Sequence, residues 1–333
     1  MTALLRAEWT RLFSRRVTLV TLVLIATLLA FLTFGFTLTR SDPTAEEIRV
    51  AGERAQAAAV LYDRNVELCE AVQSGTQAAP AGVDFPRGCD YGPRPTADSL
   101  LEFGFSFARQ WPQLFTTAAI VLTVAGFVLG ASFVGVEWSS GGMLNLLLWA
   151  PRRWAVLAGK LIAVCAGIAL VSVVYLAAWT GAFMAVDAIG DSVSVMTFGD
   201  WTSLLITAVR VALLAMAGTA LGFAIASMGR HTSTALGVGI AYLLIYELGG
   251  IILFQLIGGT DYSARYRLSS WVSAWMNKSY AFESNPAYCD DKGCVAASTT
   301  QLGSWPQAGV VIALVVAILL AGAFASMRRR DTN

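Results

Sequence analysis

Few side chains in this sequence have the chemistry and spacing of a catalytic site. The chain has one histidine, His231, which excludes most histidine-based catalysis and most transition-metal sites. It contains no HExxH zinc motif and no nucleophile elbow. It also lacks a Walker A loop, because Gly159-Lys160-Leu161 has neither the first glycine nor the hydroxyl residue that holds magnesium. If ATP drives this protein, another chain must bind the nucleotide.

The stretch from residue 137 to residue 160 carries the most informative pattern. It has an acidic residue, two glycines that permit a sharp turn, a short apolar helix over residues 143–149, a proline that ends the helix, and two arginines. Such a helix is too short to span a bilayer, so it either lies in the interface or docks into a groove on a partner. The candidate docking residues are Glu137, Gly141, Gly142, Leu144, Leu148, Pro151, Arg152 and Arg153.

Glu247 is the second candidate, because it lies near the middle of an apolar stretch beside Tyr242 and Tyr246. A charge at the centre of a bilayer costs about 2.5–3.5 kcal/mol on insertion scales. We therefore expect Glu247 to face a cavity, a partner or a substrate. The alternative is a protonated Glu247 that is satisfied by Tyr242 or by a neighbouring helix. Gly249 and Gly250 follow at once and favour a break in the helix.

Four of the five cysteines lie outside the apolar stretches, and Cys165 lies inside one. An oxidising outer face favours disulfides. Nearest neighbours would pair as Cys69–Cys89 and Cys289–Cys294, although four cysteines permit three pairings. The first bridge would close a loop of about 20 residues, which is worth roughly 3 kcal/mol in the chain-entropy model. The alternative is a zinc site, for which C-x4-C without a nearby histidine is unusual.

The chain that positions these residues is too apolar for a soluble fold. Of its 333 residues, 56% are hydrophobic and 14% are charged, against roughly 45–50% and about 25% in soluble domains. The mean hydropathy is +0.62. A net charge of +1 is not that of a nucleic-acid binder, so we expect no nucleic-acid partner. The composition predicts an all-α polytopic membrane protein.

Apolar segments of about 20 residues, the length that crosses a bilayer, predict six transmembrane helices. The first is longer than the apolar region of a signal peptide, so we expect it to be retained. Lys and Arg concentrate in short segments on one side, whereas residues 187–200 contain acidic residues and no Lys or Arg. The positive-inside rule therefore places both termini in the cytoplasm. The predicted spans are Val17–Leu38, Phe115–Val136, Val156–Met184, Val211–Ser227, Ala235–Ile257 and Ala308–Met327.

The remaining segments divide into one helix and two outer loops. Residues 1–16 predict an amphipathic helix in the headgroup layer, or a simple basic anchor. Residues 39–114 form a large extracytoplasmic loop, in which Thr44 and Glu47 make a capping box at the start of a helix. A second helix is expected over residues 96–109.

The second outer loop, residues 258–307, is rich in aromatic side chains. Trp and Tyr are typical of the membrane interface, so these residues form an anchoring belt, or alternatively a ligand cage. The Trp and Tyr residues are Tyr262, Tyr266, Trp271, Trp275, Tyr280, Tyr288 and Trp305.

Residues 137–160 resemble a segment of the permease subunits of ABC-2 type transporters. Those subunits have an acidic residue, a Gly-Thr turn, a leucine-rich short helix, and then Pro, Arg and a Lys that opens the third span. The layout of six spans with a large first outer loop is similar too. Gly142 stands where the family usually has Thr or Ser, and Asn145 where a basic residue is frequent. The matching residues are Glu137, Gly141, Leu144, Leu148, Pro151, Arg153 and Lys160.

The resemblance implies a permease of a bacterial ABC exporter in the plasma membrane, with residues 17–333 as the permease domain and 137–155 as its coupling-helix region. Two permeases, identical or related, would pair, and ABC ATPase subunits would dock below them. This chain would then bind no cofactor and catalyse no reaction, since ATP and magnesium belong to the ATPase. The family's fifth span lies near the dimer axis, which adds a dimer interface to the roles open to Tyr242, Tyr246 and Glu247. The alternative is a non-transporting scaffold or sensor that acts through its outer loops.

Overall fold

The computed structural model describes residues 2–39, 44–77, 89, 91, 94–100, 105–143, 153–189, 196–250, 252, 267–285, 288–290, 293–295 and 298–329. Helices dominate these residues. A π-helical segment, Tyr242–Leu248, continues the eighth α-helix. The α-helices are α1 (Thr2–Ser14), α2 (Arg16–Thr39), α3 (Ala45–Gln73), α4 (Ala97–Leu100), α5 (Phe107–Ser139), α6 (Arg153–Ala188), α7 (Phe198–Gly229), α8 (Thr232–Ala241), α9 (Leu268–Met276) and α10 (Trp305–Arg329).

Five of these helices, α2, α5, α6, α7 and α10, are long and apolar enough to cross a membrane. They match five of the six predicted spans, although α5 begins at Phe107 rather than Phe115, and α7 begins at Phe198 rather than Val211. The predicted span Ala235–Ile257 is helical from Thr232 to Gly250. Residues 251 and 253–257 lie outside the described part, so this span, the fifth in chain order, stays a prediction.

The chain divides into two compact units, which are described separately. The first unit contains residues 1–32, 107–185 and 194–333, and the second contains residues 33–106 and 186–193. The first unit holds all of α5, α7, α8 and α10 and most of α6. The second unit holds α3 and α4.

The first unit is built around a close contact between α5 and α7. Each helix carries a GxxxG pattern, Gly126–Gly130 on α5 and Gly218–Gly222 on α7, which lets two helix backbones approach each other in a membrane. A Cβ on Gly130 would collide with the carbonyl oxygen of Thr219, and one on Gly222 with that of Phe127. The two backbones therefore touch directly, and a larger side chain at Gly130 or Gly222 would separate the helices.

One end of the first unit is closed by a hydrophobic cluster that joins distant parts of the chain. Leu12 of α1, Met143 after α5, Leu157 of α6, Ala235 of α8 and Met327 of α10 are all buried in it. The last turn of α1 and the end of α10 therefore belong to the same end of the bundle as Met143 and the first turns of α6.

The second unit is organised by α3. Its capping box is present as predicted, with the Thr44 hydroxyl accepting from Glu47 N–H and the Glu47 carboxylate accepting from Thr44 N–H. The buried face of α3 contains Ala51, Ala55, Ala59 and Cys69. Gly75, at a φ of +74°, follows the end of the helix. The predicted helix over residues 96–109 differs from the structure, since α4 is a single turn and Phe107 already begins α5.

The second outer loop contains strands that the sequence analysis did not predict. Strands β1 (Ser279–Asn285) and β4 (Ser298–Ser304) pair antiparallel, with Ser279 opposite Ser304 and irregularities in the register at two points. Between them, β2 (Tyr288–Asp290) and β3 (Gly293–Val295) form a second antiparallel pair. The fold is thus helical with a small β-ribbon before α10.

Candidate functional site

Four charged side chains from separate elements meet at the end of the first unit that also holds the α5–α6 connection. Lys160 of α6 places its Nζ 2.8 Å from Glu8 Oε2 and 2.7 Å from Glu137 Oε2. Arg15, between α1 and α2, places its Nη2 2.7 Å from Glu137 Oε1. We call Glu8, Arg15, Glu137 and Lys160 the ion cluster. It connects α1, α5 and α6 through direct hydrogen bonds between side chains.

The ion cluster is largely shielded from solvent. The side chains of Glu8 and Lys160 are each 1% exposed, and that of Glu137 is 13% exposed. Two acidic and two basic groups give the cluster no net charge. Burying a charge is expensive unless it is paired, and removing one member of a buried pair leaves the other uncompensated. Removal of one charge alone is therefore expected to destabilise the cluster more than removal of an oppositely charged pair.

Arg15 fixes the junction between α1 and α2 to α5. Its Nη1 donates to the carbonyl oxygens of Phe133, at 2.9 Å, and Ser132, at 3.3 Å. Its guanidinium also lies 4.7 Å from the centroid of the Phe133 ring, which is within the range of a cation–π contact. Planar geometry and several donors suit arginine to this position better than lysine.

Helix α1 packs against α6 next to the ion cluster. Leu12 follows Glu8 by one helical turn, so both face the same side and both are buried. Leu12 lies against Gly167 of α6, so closely that a Cβ added to Gly167 would collide with Cδ2 of Leu12. Residues 1–16 were predicted to lie in the headgroup layer or to act as a basic anchor. The described contacts show that α1 also makes polar and apolar contacts with the bundle.

The predicted docking residues are only partly described. Glu137 belongs to the ion cluster, and Gly141 adopts a φ of +72°, which confirms a glycine-dependent turn. Gly142 continues from that turn, and Met143 is fully buried. Arg153 begins α6. The other predicted docking residues lie outside the described part of the chain; they are Leu144, Leu148, Pro151 and Arg152.

Tyr242, Tyr246 and Glu247 come together on the π-helical segment, where residues five positions apart share a face. Tyr242 Oη donates to Glu247 Oε1 at 2.7 Å. Tyr246 stacks on Tyr242 with 5.3 Å between ring centroids. The structure therefore brings the three predicted residues into one group.

Glu247 and Tyr242 also cap α9. Ser269 donates its backbone N–H to Glu247 Oε1 at 3.2 Å and its hydroxyl to Glu247 Oε2 at 2.7 Å. Leu268 N–H donates to Tyr242 Oη at 3.2 Å. The first N–H groups of a helix have no partner within it, and a carboxylate is favourable there. Satisfaction by a neighbouring helix was one of the two roles expected for Glu247, and these contacts agree with it.

The cysteines agree with the predicted pairing as far as they are described. Cys69 and Cys89 form a disulfide in the second unit. Cys289 and Cys294 face each other in the register of β2 and β3, but their side chains are outside the description. Among the described residues, no group of three or more His, Cys, Asp or Glu side chains could hold a metal ion.

Sequence reasoning did not find the partners of Glu137. Lys160 was noted as part of an incomplete Walker A pattern and as the residue that opens the third predicted span. A signal was present, because a lysine in an otherwise apolar helix needs an acidic partner when it is buried. The choice of partner was not readable, since Glu8 lies far away in the sequence.

A family comparison adds to this geometry. The model of the family described as ABC-2 family transporter protein matches residues 2–331. The chain belongs to the ABC-2 transporter family. No curated protein matches the sequence.

Family membership defines the general class of the molecule. An ABC-2 member is a membrane transport subunit, so the chain is a multi-pass membrane protein and a permease of an ABC transporter. Membership also implies association with an ABC ATPase and with the membrane. The resemblance seen in residues 137–160 is thereby confirmed at the level of the family.

Proposed function

We propose that this permease exports a hydrophobic or amphipathic substrate by alternating access, with the energy supplied by a separate ATPase that binds ATP and magnesium. The ATPase docks on the α5–α6 connection, where Leu144 and Leu148 enter its groove. Arg152 and Arg153 follow as basic residues at the rim. Apolar helix-in-groove contacts with a charged rim are a common mode of recognition.

The ion cluster is the observation that carries this proposal. The proposed docking segment is bracketed by Glu137 at the end of α5 and Lys160 near the start of α6, and these two side chains are bonded to each other. Lys160 also binds Glu8 of α1. A displacement of the segment by the ATPase is therefore transmitted to three helices together, instead of bending one helix end. Packed elements joined in this way move as a unit.

Both termini are placed in the cytoplasm in this proposal, with six membrane crossings. Two observations support it. The hydrophobic cluster holds Leu12 of α1 and Met327 of α10 at one end of the first unit, which requires an even number of crossings. The same end carries Arg230, whose guanidinium lies 5.2 Å from the Trp138 ring, and cytoplasmic segments are rich in such basic residues. The helix Thr232–Leu248 belongs to the fifth crossing, and α10 is the sixth.

The group of Tyr242, Tyr246 and Glu247 is assigned to the substrate path or to the interface with a second permease, identical or related. The support for this assignment is the exposed surface of the π-helical segment. Ile245 is 74% exposed and lies two residues before Glu247, whose carboxylate caps α9. π-Helical segments are often found at functional sites.

The decisive test of docking is co-purification of the ATPase with the permease in mild detergent. Leu144→Asp with Leu148→Asp should abolish the association, because two charges cannot enter an apolar groove. Leu61→Asp is the matched control, since Leu61 is 59% exposed on α3 in the other unit, and it should leave the association unchanged. Docking through this segment would be contradicted if the ATPase co-purified equally with the unmodified permease, the double variant and Leu61→Asp. If even the unmodified permease carried no ATPase, the scaffold or sensor function would replace transport.

A second measurement separates docking from transmission. Glu8→Gln combined with Lys160→Met removes one charge of each sign and so keeps the cluster neutral. We expect this variant to retain the ATPase but to lose stimulation of ATP hydrolysis by substrate. Unchanged stimulation would show that the ion cluster stabilises the fold without transmitting motion.

A further inference from the structure

A cavity of about 390 Å³ lies among α6, α7, α9 and α10 in the first unit. Its lining is apolar, and the described side chains that form it carry no charge. Helices α7 and α10 run parallel, because Arg210 contacts Trp305 and Met228 contacts Gly322. The cavity therefore runs between two ends, with Leu213, Trp275 and Gly309 at one and Leu161, Cys165 and Leu320 at the other.

The cavity has the length of a lipid tail. It follows α10 from Gly309 to Leu320, which at about 1.5 Å per residue is roughly 16 Å. The hydrocarbon core of a bilayer is about 30 Å thick, so the cavity is about as long as one leaflet is deep. On the outer side of α10, Val310 and Leu314 are more than half exposed. An acyl chain in the surrounding bilayer therefore lies next to the helix that bounds the cavity.

A buried cation lies one helical turn beyond the end marked by Trp275. Arg210 precedes Leu213 and Leu214 on the same face of α7, and it is only 7% exposed. Its guanidinium lies 4.8 Å from the Trp305 ring centroid, and Trp305 is one turn before Gly309 on α10. The indole N–H of Trp275, a residue of the cavity wall, donates to the Arg210 carbonyl at 3.1 Å.

The charge of Arg210 is not neutralised within the described part of the chain. No described carboxylate forms an ion pair with it, and its buried Nη1 has no hydrogen-bond acceptor. The Trp305 ring offers a cation–π contact but accepts no strong hydrogen bond. The unused N–H calls for a hydrogen-bond acceptor and the uncompensated buried charge favours an anionic one, and phosphate oxygens match the planar donor geometry of the guanidinium.

We propose that this cavity binds one acyl chain of an anionic phospholipid, with Arg210 holding the phosphate at its end. Trp275 and Trp305 form the rim between the chain and the headgroup, which is the position that tryptophan prefers in a bilayer. A net negative headgroup balances Arg210, whereas the choline cation of phosphatidylcholine would cancel that balance. The site is separate from the ion cluster and from the proposed docking segment.

Photo-crosslinking tests this assignment on the full-length permease in phosphatidylcholine vesicles. A trace of phosphatidylglycerol with a photoreactive acyl chain is activated, and the labelled peptides are identified by mass spectrometry. We expect saturable labelling of residues 309–320 and 213–220, which unlabelled phosphatidylglycerol displaces and additional phosphatidylcholine does not. Equal displacement by both lipids would overturn the proposal.

Two variants separate the headgroup contact from the chain contact. Arg210→Gln should weaken displacement by phosphatidylglycerol at least about tenfold, the loss expected for one charge-assisted hydrogen bond. Ala313→Phe fills the cavity and should abolish labelling while keeping Arg210, so the test survives if Arg210→Gln fails to fold. Arg230→Gln is the matched control, because it removes another arginine stacked on a tryptophan and should change nothing. Normal labelling of both Arg210→Gln and Ala313→Phe would refute the site.

Discussion

Removing the lysine from the ion cluster should destabilise the protein strongly. Lys160 Nζ contacts Glu8 and Glu137 at 2.8 and 2.7 Å. In Lys160→Met, Glu137 keeps Arg15 at 2.7 Å, whereas Glu8 keeps only the half-exposed Arg11 at 3.3 Å. The cluster changes from neutral to a net charge of −1 while Glu8 stays buried. Breaking a buried pair by removing one partner costs about 3–5 kcal/mol, so we expect a loss of about 4 kcal/mol in unfolding free energy.

The assay is unfolding of the purified permease in mixed micelles, with Glu8→Gln, Lys160→Met and the double variant compared as a cycle. The double variant removes both charges and should recover about 2 kcal/mol or more relative to the sum of the single changes. Two results would refute the reasoning. One is a loss below about 1 kcal/mol for Lys160→Met, which is the value of an exposed pair. The other is strict additivity in the cycle.

A matched control for this experiment exists in the second unit. Arg49 of α3 also bridges two carboxylates, those of Glu46 and Glu53, but all three side chains are more than half exposed. Exposed pairs contribute little to stability because water screens them. Arg49→Met should therefore leave the unfolding midpoint unchanged, although it removes the same number of ion pairs as Lys160→Met.

Three further changes test other parts of the structure. Gly130→Val forces the α5 backbone away from α7 and should lower the unfolding free energy by about 3 kcal/mol, measured in the same micelles. Cys69→Ser opens the bridge to Cys89 and should remove roughly 3 kcal/mol, with a mobility shift on non-reducing gels. The hydrogen bond from Arg94 lowers the pKa of Asp63 below its ordinary value of 3.8. The Arg94–Asp63 pair therefore contributes its stabilisation at pH values above 3.8, and this contribution is lost as the pH falls through the lowered pKa of Asp63.

Each of these changes has a control in the same chain. Gly181→Val adds the same side chain where nothing lies within 4 Å of the new Cβ, and should be tolerated. Cys165→Ser changes a cysteine that is free, and should not alter mobility. Asp63→Asn should reduce the acid limb of the stability curve by a small amount only, because Arg94 and Asp63 are both about half exposed. An acid limb identical to that of the unmodified protein would assign it wholly to other carboxyl groups.

Features set by neighbouring residues could be predicted from the sequence. The apolar segments predicted five membrane-length helices, since a bilayer requires an uninterrupted apolar run of helical length. The capping box of Thr44 and Glu47 predicted the start of α3, and the turn at Gly141 followed from the glycine itself. Each of these signals acts over a few residues and depends on no distant partner.

Features set by distant partners could not be predicted. Glu8 and Lys160 are separated by 152 positions, and no local rule selects one among the charged residues of the chain. The β-ribbon of residues 279–304 was missed because Gly, Ser and Asn interrupt its strands, and such residues are typical of loops. The capping of α9 by Glu247 depends on how two segments are placed side by side, which a single sequence does not encode in any short pattern.

The described contacts change which charged residues are best regarded as ligand-binding. Glu137 and Glu247 were selected from the sequence because a charge near a membrane needs a partner, and each has its partners within the fold. Arg210 was not among the candidate site residues, yet its buried Nη1 has no acceptor among the described residues. A charge alone is a poor guide to a binding site in a membrane bundle, since most such charges are satisfied internally. An unused donor beside a cavity of matching length is the stronger criterion, because no described part of the chain satisfies it.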